Sequence, residues 1–337
     1  MSRSRSVYRI SGLLAIVAVL FGHTQPALAY LKFGLEAGGR EVTLRWNATP
    51  VRYFVTDQTV GGISATDFQA ATAQAFATWQ SVPSASITYQ FAGFTSSTPG
   101  DDDGRSTLGF LNEPALDRVL ASTSFLVDDV TGALLEADIF FNSAFTWSVS
   151  KNGEPGKWDV QSIALHEIGH LSGLGHSAIG ETQIVNGSRR VLSAGAVMFP
   201  IALGPGDISS RQLDADDIAG ISDLYPDGDF NAATGSVSGQ VTKNGQGVFG
   251  AHVVAFDPGN GDQIANFTLT RTGLFSIAGL RPGPHVIRIE PLDDADIESF
   301  FDSAEPVELS FRAKYYERLV VVPRGGDSGS IQISVSP

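Results

Sequence analysis

The chain has 337 residues, of which 42% are hydrophobic and 17% charged, a composition that excludes a disordered chain and leaves room for two domains. Its formal net charge of −14 disfavours a nucleic-acid partner, because contacts with phosphate need clustered Lys and Arg. It contains no cysteine, so disulfides, thiolate metal sites and cysteine nucleophiles are excluded.

The first 29 residues have the pattern of a secretory signal peptide. Three arginines precede an apolar run from Gly12 to Phe21, and Ala27-Leu28-Ala29 offers a small-residue cleavage site. The alternative is a membrane anchor, but the run is shorter than the ~20 residues that a bilayer span needs. We therefore predict a signal peptide over residues 1–29, a secreted, extracellular protein, and no transmembrane segment after signal removal.

Residues 30–229 are predicted to form one domain that mixes helices and strands. Apolar residues at helical spacing predict three helices: Ala65–Trp79, Asp159–Leu171, and a third that follows Ser209, buries Ile218 and ends near Tyr225. Ser64 or Thr66 is predicted to cap the first helix. Alternating patterns predict strands at Val51–Val55, Ile87–Phe91, Val119–Phe125 and Ala137–Phe141.

Residues 230–337 have a different pattern, in which short β-rich runs alternate with Gly, Asn, Asp and Pro turns. The predicted strands are Val237–Val241, Ala251–Phe256, Phe267–Thr270, Leu274–Ile277, Val286–Ile289, Val307–Phe311, Leu319–Val322 and Ile331–Val335. Many short strands without a helical pattern predict an all-β antiparallel sandwich.

Residues 166–176, with the sequence HEIGHLSGLGH, carry the pattern most specific for chemistry. On an α-helix His166 and His170 lie one turn apart on the same face, so both imidazoles can approach one metal ion. Gly173 is predicted to end the helix in a left-handed conformation, so that the chain turns back and His176 becomes the third ligand. Glu167, about 100° round the helix, can reach a water at the metal without becoming a ligand.

Three protein ligands leave one position of a tetrahedral ion open, which is the arrangement of catalytic zinc. Nitrogen ligands favour one catalytic zinc ion, while copper and iron stay open as alternatives. The histidines could instead merely pack against the helix or cap it. That interpretation is weaker, because no other histidine occurs between Tyr30 and Phe230 and the spacing suits a metal.

The pattern HExxHxxGxxH resembles the metzincin zinc endopeptidases, and within them the matrixins. Met198 in Val197-Met198-Phe199-Pro200 resembles the matrixin Met-turn, Ser177 follows the third histidine as in matrixins, and residues 213–225 resemble the family's last catalytic-domain helix. The resemblance covers roughly residues 30–226. It implies an α+β, metzincin or zincin-type catalytic domain with a twisted mixed sheet and three helices.

The resemblance also implies the reaction. The enzyme would be a metalloprotease, a hydrolase that cleaves peptide bonds of extracellular proteins through metal-activated water with Glu167 as general base. A protein or peptide substrate is predicted to lie extended along an edge strand, Val119–Ser124, in contact with Leu120 and Ala121. By resemblance alone, Pro200 is expected in the wall of the pocket beyond the scissile bond.

The sequence departs from the matrixin pattern in three places. Ser122 and Phe140 stand where matrixins carry histidine ligands of a second, structural zinc, so we predict no His-bound second zinc. The chain lacks the propeptide cysteine that keeps matrixins latent, so its activity is controlled otherwise or is present once the chain has folded with its metal. Residues 178–196 form a longer connection before the Met-turn, which is expected to change the specificity pocket.

Three further questions stay open at this point. Calcium could bind Asp101-Asp102-Asp103-Gly104 and Asp128-Asp129, which are equally typical of solvated acidic loops. Residues 237–292 resemble carboxypeptidase-regulatory-like sandwiches of Ig-like or prealbumin-like fold, which implies substrate positioning, contact with a cell surface or glycan, or stabilisation of the neighbouring domain. The alternative function is an extracellular adhesin or binding protein that uses a metzincin-like core as a scaffold, and the presence of Glu167 weighs against it.

Overall fold

The computed structural model describes residues 7–11, 32–37, 40–185, 188–292, 296–301 and 306–337. The predicted signal peptide lies outside these residues except for Val7–Ser11, which forms a strand. Among the described helices, none combines the length and the apolar character that a membrane span requires.

The helices and strands have the following bounds. The α-helices are α1 (Ala65–Gln80), α2 (Val160–Leu171), α3 (Ala215–Leu224) and the short α4 (Phe230–Ala233). The strands before residue 200 are β1 (Val7–Ser11), β2 (Gly34–Ala37), β3 (Arg40–Thr43), β4 (Val51–Thr56), β5 (Tyr89–Thr95), β6 (Ser106–Leu111), β7 (Ala121–Asp128), β8 (Leu134–Asn142), β9 (Trp147–Ser148), β10 (Trp158–Asp159), β11 (Gly180–Val185) and β12 (Ser188–Ala194). The later strands are β13 (Gly235–Lys243), β14 (Gln246–Gly247), β15 (His252–Phe256), β16 (Gln263–Phe267), β17 (Leu274–Leu280), β18 (Gly283–Glu290), β19 (Lys314–Tyr315), β20 (Val320–Val322) and β21 (Asp327–Val335).

A mixed sheet in the order β1-β7-β8-β6-β4-β5 underlies the first half of the chain. The strands β4, β5, β6 and β8 run parallel, whereas β7 pairs antiparallel with β8 and with β1. The predicted edge strand Val119–Ser124 therefore needs correction. The strand begins at Ala121, and Ser124 is paired on its outer side because Val7–Ser11 supplies a second antiparallel partner.

The helices α1 and α2 pack against each other beside this sheet. Ser64 caps α1, since its side chain accepts a hydrogen bond from the backbone N–H of Asp67 at 3.1 Å. The indole N–H of Trp79 in α1 donates to the carbonyl of Leu165 in α2 at 2.8 Å. Because Trp79 is fully buried, this bond fixes how the helix that carries the histidine motif lies on its neighbour.

Two sheets with a shared hydrophobic core make up the second half. One sheet places β13 between β17 and β21, with β14 alongside, and the other has the order β16-β15-β18-β19, with β20 also on β18. Because β13 and β21 run parallel, the prediction that all strands of this half pair antiparallel is wrong. Alternate residues of facing strands, such as Val237, Val253, Ile277 and Ile287, are fully buried between the sheets.

Two predicted strands of this half are wrong. The prediction Phe267–Thr270 shares only Phe267 with β16. Thr268 still donates its backbone N–H to the carbonyl of Ala251, but its own carbonyl accepts from the N–H of Gly250, so the regular pairing with β15 ends there. The prediction Val307–Phe311 is not a strand. There the N–H of Ser310 donates to the carboxylate of Glu308 instead of to a neighbouring strand, and the preceding Pro306 has no N–H to donate.

The helix α3 belongs to both cores. Its Ile221 and Leu224 lie in the core of the first half, while Ala219 packs into the core between the two later sheets. The prediction that Ile218 is buried is wrong, because the two buried faces of α3 leave this position exposed. Asp216 joins the halves directly, since its carboxylate accepts a hydrogen bond from the backbone N–H of Ala265 at 2.9 Å.

Candidate metal centre

Three imidazoles converge at the C-terminal end of α2. His166 and His170 lie one turn apart on the helix, and His176 returns to them after the chain turns. The Nε2 atoms of His170 and His176 are 3.1 Å apart, and one ring nitrogen from each of the three residues lies within 4.8 Å of the others. Nitrogen ligands about 2.0–2.1 Å from one tetrahedral zinc ion are themselves about 3.4 Å apart. This histidine triad therefore fits a single zinc ion with little movement.

The turn that brings in the third imidazole depends on Gly173. Its φ of 100° is in the left-handed region that glycine occupies without strain. The N–H of Gly173 donates to the carbonyl of His170 and that of Leu174 to the carbonyl of Gly169, at 2.7 and 3.0 Å. This is a Schellman ending, which confirms the prediction that the helix ends at Gly173 in a left-handed turn.

A backbone carbonyl lies beside the Nδ1 atom of every imidazole in the triad. His166 contacts the carbonyl of Val197 at 2.8 Å, His170 that of Leu174 at 2.8 Å, and His176 that of Ser299 at 2.6 Å. A carbonyl can only accept, so each Nδ1 carries the proton and each Nε2 keeps its lone pair for a metal.

Burial keeps the triad uncharged. It lowers the pKa of His166 and lowers that of His170 well below its ordinary value. Burial, together with the repulsion that protonated His176 would meet from protonated His166, lowers the pKa of His176 to about 3. At neutral pH the three side chains are therefore neutral imidazoles, which is the form that coordinates a metal.

Glu167 lies on α2 next to the triad and is buried. The hydroxyl of Thr123 on β7 donates to its Oε2 atom at 2.6 Å, so one carboxylate oxygen is fixed and the other keeps its lone pairs. Burial raises the pKa of Glu167 to about 7, while the hydrogen bond from Thr123 lowers it. A bound cation would lower this pKa further. A carboxylate with such a pKa can both accept and return a proton near neutral pH.

Met198 packs directly beneath the helix that bears the histidines. It is buried, and its sulfur lies so close to Gly169 that a Cβ at this glycine would collide with it. The same Cβ would also lie 3.0 Å from a ring carbon of Trp79. The glycine between the two α2 histidines is therefore required by close packing against Met198.

We expect Gly169→Ala to lower the free energy of unfolding by about 1–2 kcal/mol. Alanine favours a helix by about 1 kcal/mol, but overpacking against Met198 and Trp79 costs about 2–3 kcal/mol, the upper part of the usual range, because the rigid indole cannot move aside. Urea unfolding measures the difference, and Gly204→Ala is the control because nothing lies within 4 Å of a Cβ at Gly204. Equal stability of the two variants would contradict the close packing.

The carboxylate of Asp217 on α3 holds the segment that contains Met198. It accepts hydrogen bonds from the backbone N–H groups of Val197 and Met198 at 2.8 and 3.1 Å, and from that of Asp214 at 2.9 Å. Since the carbonyl of Val197 in turn contacts His166, the helix α3 supports the triad through this segment.

Comparison with known proteins agrees with this geometry. Residues 45–226, just over half of the chain, match the matrixin family. The chain belongs to the matrixin family. The predicted resemblance is thereby confirmed for the first half, and with it an α+β catalytic domain of matrixin type. Membership of the matrixin family implies that the metal is zinc. It also implies that the enzyme is a metalloprotease, which is a class of hydrolase.

Curated matrixin relatives match only part of the chain. Metalloendoproteinase 5-MMP of Arabidopsis thaliana is 40% identical over 87 residues, which cover 25% of this chain and 20% of that protein. Matrix metalloproteinase-25 of Homo sapiens is 33% identical over 93 residues, which cover 27% of this chain and 14% of that protein. The chain thus spans about a fifth or less of the length of these relatives. None of these findings supports the predicted contact with a glycan or cell surface.

One solved structure, the Bacillus anthracis TIE protein, aligns with 31% of this chain and 16% of its own, at 10% identity and a TM-score of 0.19. This similarity is too low to indicate a shared fold.

The residues predicted to contact substrate lie near β7 and the Met198 segment. Ala121 is the first residue of β7, and the carbonyl of the preceding Leu120 accepts a hydrogen bond from Asn142. Pro200 follows Met198 by two positions and is half-buried. Residues 178–196, predicted as a long connection, contain the hairpin β11–β12, whose Ile184 and Leu192 are exposed.

Two further groups of residues were singled out in the sequence: those that stand in place of the histidine ligands of a second zinc, and the aspartates considered as calcium ligands. Ser122 and Phe140 face each other across β7 and β8. The loop that contains Asp101 and Asp103 packs against β8, where the carboxylate of Asp138 accepts hydrogen bonds from the N–H groups at residues 100 and 107. Among the described residues, the triad is the cluster of three or more His, Cys, Asp or Glu side chains whose ligand atoms lie close enough to share one metal ion. The aspartates of the acidic loop do not form such a cluster, so calcium binding stays a prediction.

Sequence reasoning did not find Thr123, Asp217 or the carbonyl of Ser299 as parts of this site. Thr123 lies on a strand that was expected near the substrate. The signal that could have identified it as a partner of Glu167 is its hydroxyl group on the face of the strand towards α2. Asp217 was noted only as part of a family-like helix. Nothing in the sequence marks Ser299, because it acts through its backbone.

Proposed function

We propose that this matrixin is a secreted zinc-dependent endopeptidase that hydrolyses peptide bonds of extracellular proteins. The proposal is carried by one observation, the convergence of three neutral imidazoles beside the buried carboxylate of Glu167. We also propose the domain layout of a signal peptide at residues 1–29, a catalytic domain at 30–229 and a carboxypeptidase-regulatory-like sandwich at 230–337. The two sheets that share a core after residue 234 support the last of these.

Each residue of the site would have a separate role. The triad would hold the zinc ion through its Nε2 atoms, and Met198 would support the helix that carries two of the three histidines. When bound, zinc supplies Lewis acidity, which polarises the scissile carbonyl and acidifies the attacking water. Glu167 accepts a proton from that water and passes it to the leaving amine. Thr123 keeps the carboxylate in one orientation, so that the free oxygen faces the reacting atoms.

The outer side of β7 is the proposed path of the substrate. Among the described residues, no strand pairs with this side before Ser124, so the backbone of Ala121 and its neighbours is free to pair with an extended peptide. Leu120 and Ala121 would then contact the chain to be cleaved, and Pro200 would border the pocket beyond the scissile bond. Cleavage of the proposed signal peptide would remove β1 and extend this free edge towards Asp128.

The alternative is an extracellular adhesin that keeps the metzincin-like core as a scaffold. A scaffold needs the three imidazoles at most for metal-dependent stability. It has no use for a buried carboxylate, whose desolvation costs free energy unless hydrogen bonds or a function compensate for it. The burial of Glu167 beside the histidines of α2 therefore favours the enzyme.

Removal of the metal tests the proposal. We expect a zinc chelator to lower the rate of casein digestion by about 100-fold or more, because the triad alone supplies no Lewis acid. Addition of zinc in excess of the chelator should restore the rate. Digestion that continues unchanged in the chelator would contradict a metal-dependent peptidase, and metal binding without any digestion would favour the scaffold.

A further inference from the structure

A short turn from the second half of the chain reaches the metal centre. It consists of residues 296–301, which lie between β18 and β19 and include the 3-10 helix Ile297–Ser299. The carbonyl of Ser299 in this 296–301 turn accepts a hydrogen bond from the Nδ1 of His176 at 2.6 Å. The ring of Phe300 lies edge-on to the ring of His176, with centroids 6.1 Å apart.

The other two imidazoles of the triad have acceptors within the matrixin domain. The acceptor of His170 is the carbonyl of Leu174, four residues further along the same helix ending, and that of His166 is Val197 in the segment held by α3. The acceptor of His176 is 123 residues away in the chain. The orientation of this one ligand therefore depends on how the second half is docked.

Aromatic packing fixes the 296–301 turn on the second half. Phe301 lies against Phe249 and Phe267, with ring centroids 5.4 and 4.9 Å apart, and Phe300 lies 5.4 Å from Phe267. Phe267 is the last residue of β16 and is buried, so the turn rests on a sheet of the shared core. The ion pair between Asp296 and Arg118 is exposed at 3.8 Å and contributes little.

The docking of the second half places this sheet beside the third imidazole. Ala178, two residues after His176, packs with Phe267 and Leu292. Ile179 packs with Val254 and Ala265, and Ala265 is also hydrogen-bonded to Asp216. Ala178 and Ile179, which follow His176, are thus buried against the second half, and this packing keeps the carbonyl of Ser299 beside the imidazole.

We propose that the second half of the chain is a working part of the metal centre, because the carbonyl of Ser299 positions His176 as the third ligand. The inference rests on the proposed metal-binding role of the triad. A hydrogen bond to Nδ1 holds the imidazole in the tautomer and the ring orientation that present Nε2 to the metal. Loss of such a partner lowers metal affinity by about 10–100-fold in metalloproteins.

A full-length double variant tests this role. Phe300→Ala combined with Phe301→Ala removes the rings that hold the 296–301 turn, while all three histidines and Glu167 stay. We expect the zinc affinity, measured by competition with a chromogenic chelator, to fall by about 10-fold or more. The control is Phe256→Ala, which removes the same side chain from β15 at a half-exposed position outside the turn, and should leave the affinity unchanged.

A second measurement separates positioning from a general loss of structure. In the zinc-loaded chain labelled with ¹⁵N-histidine, each Nδ1–H of the triad should give a resonance protected from exchange. The double variant should lose the resonance of His176 alone, since the acceptors of His166 and His170 are untouched. Phe300→Leu with Phe301→Leu, which keeps apolar packing, should restore both the resonance and most of the affinity.

The inference is wrong if the double variant keeps the His176 resonance, or if its zinc affinity falls no more than that of Phe256→Ala. If the double variant does not fold, Phe301→Ala alone gives the same test, with a smaller expected loss of zinc affinity. An unchanged His176 resonance in that single variant would also overturn the inference. Neither measurement needs turnover. A chain that binds zinc in this way but cleaves no protein would contradict the proposed function and leave the role of Ser299 standing.

Discussion

Replacing Glu167 by glutamine should lower the rate of protein cleavage by about 10³-fold, with zinc affinity retained within a few-fold. Glutamine has the shape of glutamate and can still accept the hydrogen bond that Thr123 donates at 2.6 Å, so the local packing survives. It cannot accept a proton from the attacking water. The kcat on a quenched peptide and the zinc affinity by chelator competition together check the expectation.

Glu317→Gln, at an exposed position between β19 and β20, is the control, because it changes the same functional group outside the matrixin domain. That variant should keep the wild-type kcat. Cleavage by Glu167→Gln at a rate close to wild type would show that another group moves the proton. A parallel loss of zinc would instead show that Glu167 contributes to metal binding.

Asp217→Ala should lower the free energy of unfolding by about 3 kcal/mol or more. The substitution leaves three backbone N–H groups, those of Val197, Met198 and Asp214, without the acceptor that now holds them. Each buried donor left unsatisfied costs about 1–3 kcal/mol, and water that enters the space recovers part of this loss. Chemical unfolding of the zinc-loaded chain measures the change.

The same substitution should weaken the zinc site, because the Val197 carbonyl that contacts His166 belongs to the released segment. Asp227→Ala, at an exposed position just beyond α3, should change stability by less than about 0.5 kcal/mol. If the two aspartate variants proved equally stable, the carboxylate of Asp217 would not be the support of the Met198 segment.

The parts of this molecule that depend on neighbouring residues could be predicted from the sequence. Helical spacing gave α1 and α2, and the turn at Gly173 followed from the need to bring His176 back to the helix. The convergence of the triad is of the same kind, because a motif of eleven residues contains all three histidines. Such features need only local geometry, which the spacing of side chains expresses directly.

The parts that depend on distant backbone groups could not be predicted. The acceptor of His176 is a carbonyl, which every residue has, so no side chain at Ser299 marks it. Thr123 reaches Glu167 only because β7 lies beside α2 in the folded sheet. The error at Val307–Phe311 has a related cause. An apolar run there has strand-like composition, yet its hydrogen bonds go to side chains and isolated carbonyls instead of a ladder.

The helix α3 contributes side chains to two hydrophobic cores at once. Ile221 and Leu224 point one way, Ala219 the other, and the adjacent carboxylates of Asp216 and Asp217 bind backbone from opposite partners. Unfolding of either half would expose the side chains of α3 that this half covers, and would so destabilise the other half. The two halves are therefore coupled in stability, and the second half cannot be exchanged for an unrelated module, as a domain on a flexible tether could be, without redesigning this helix.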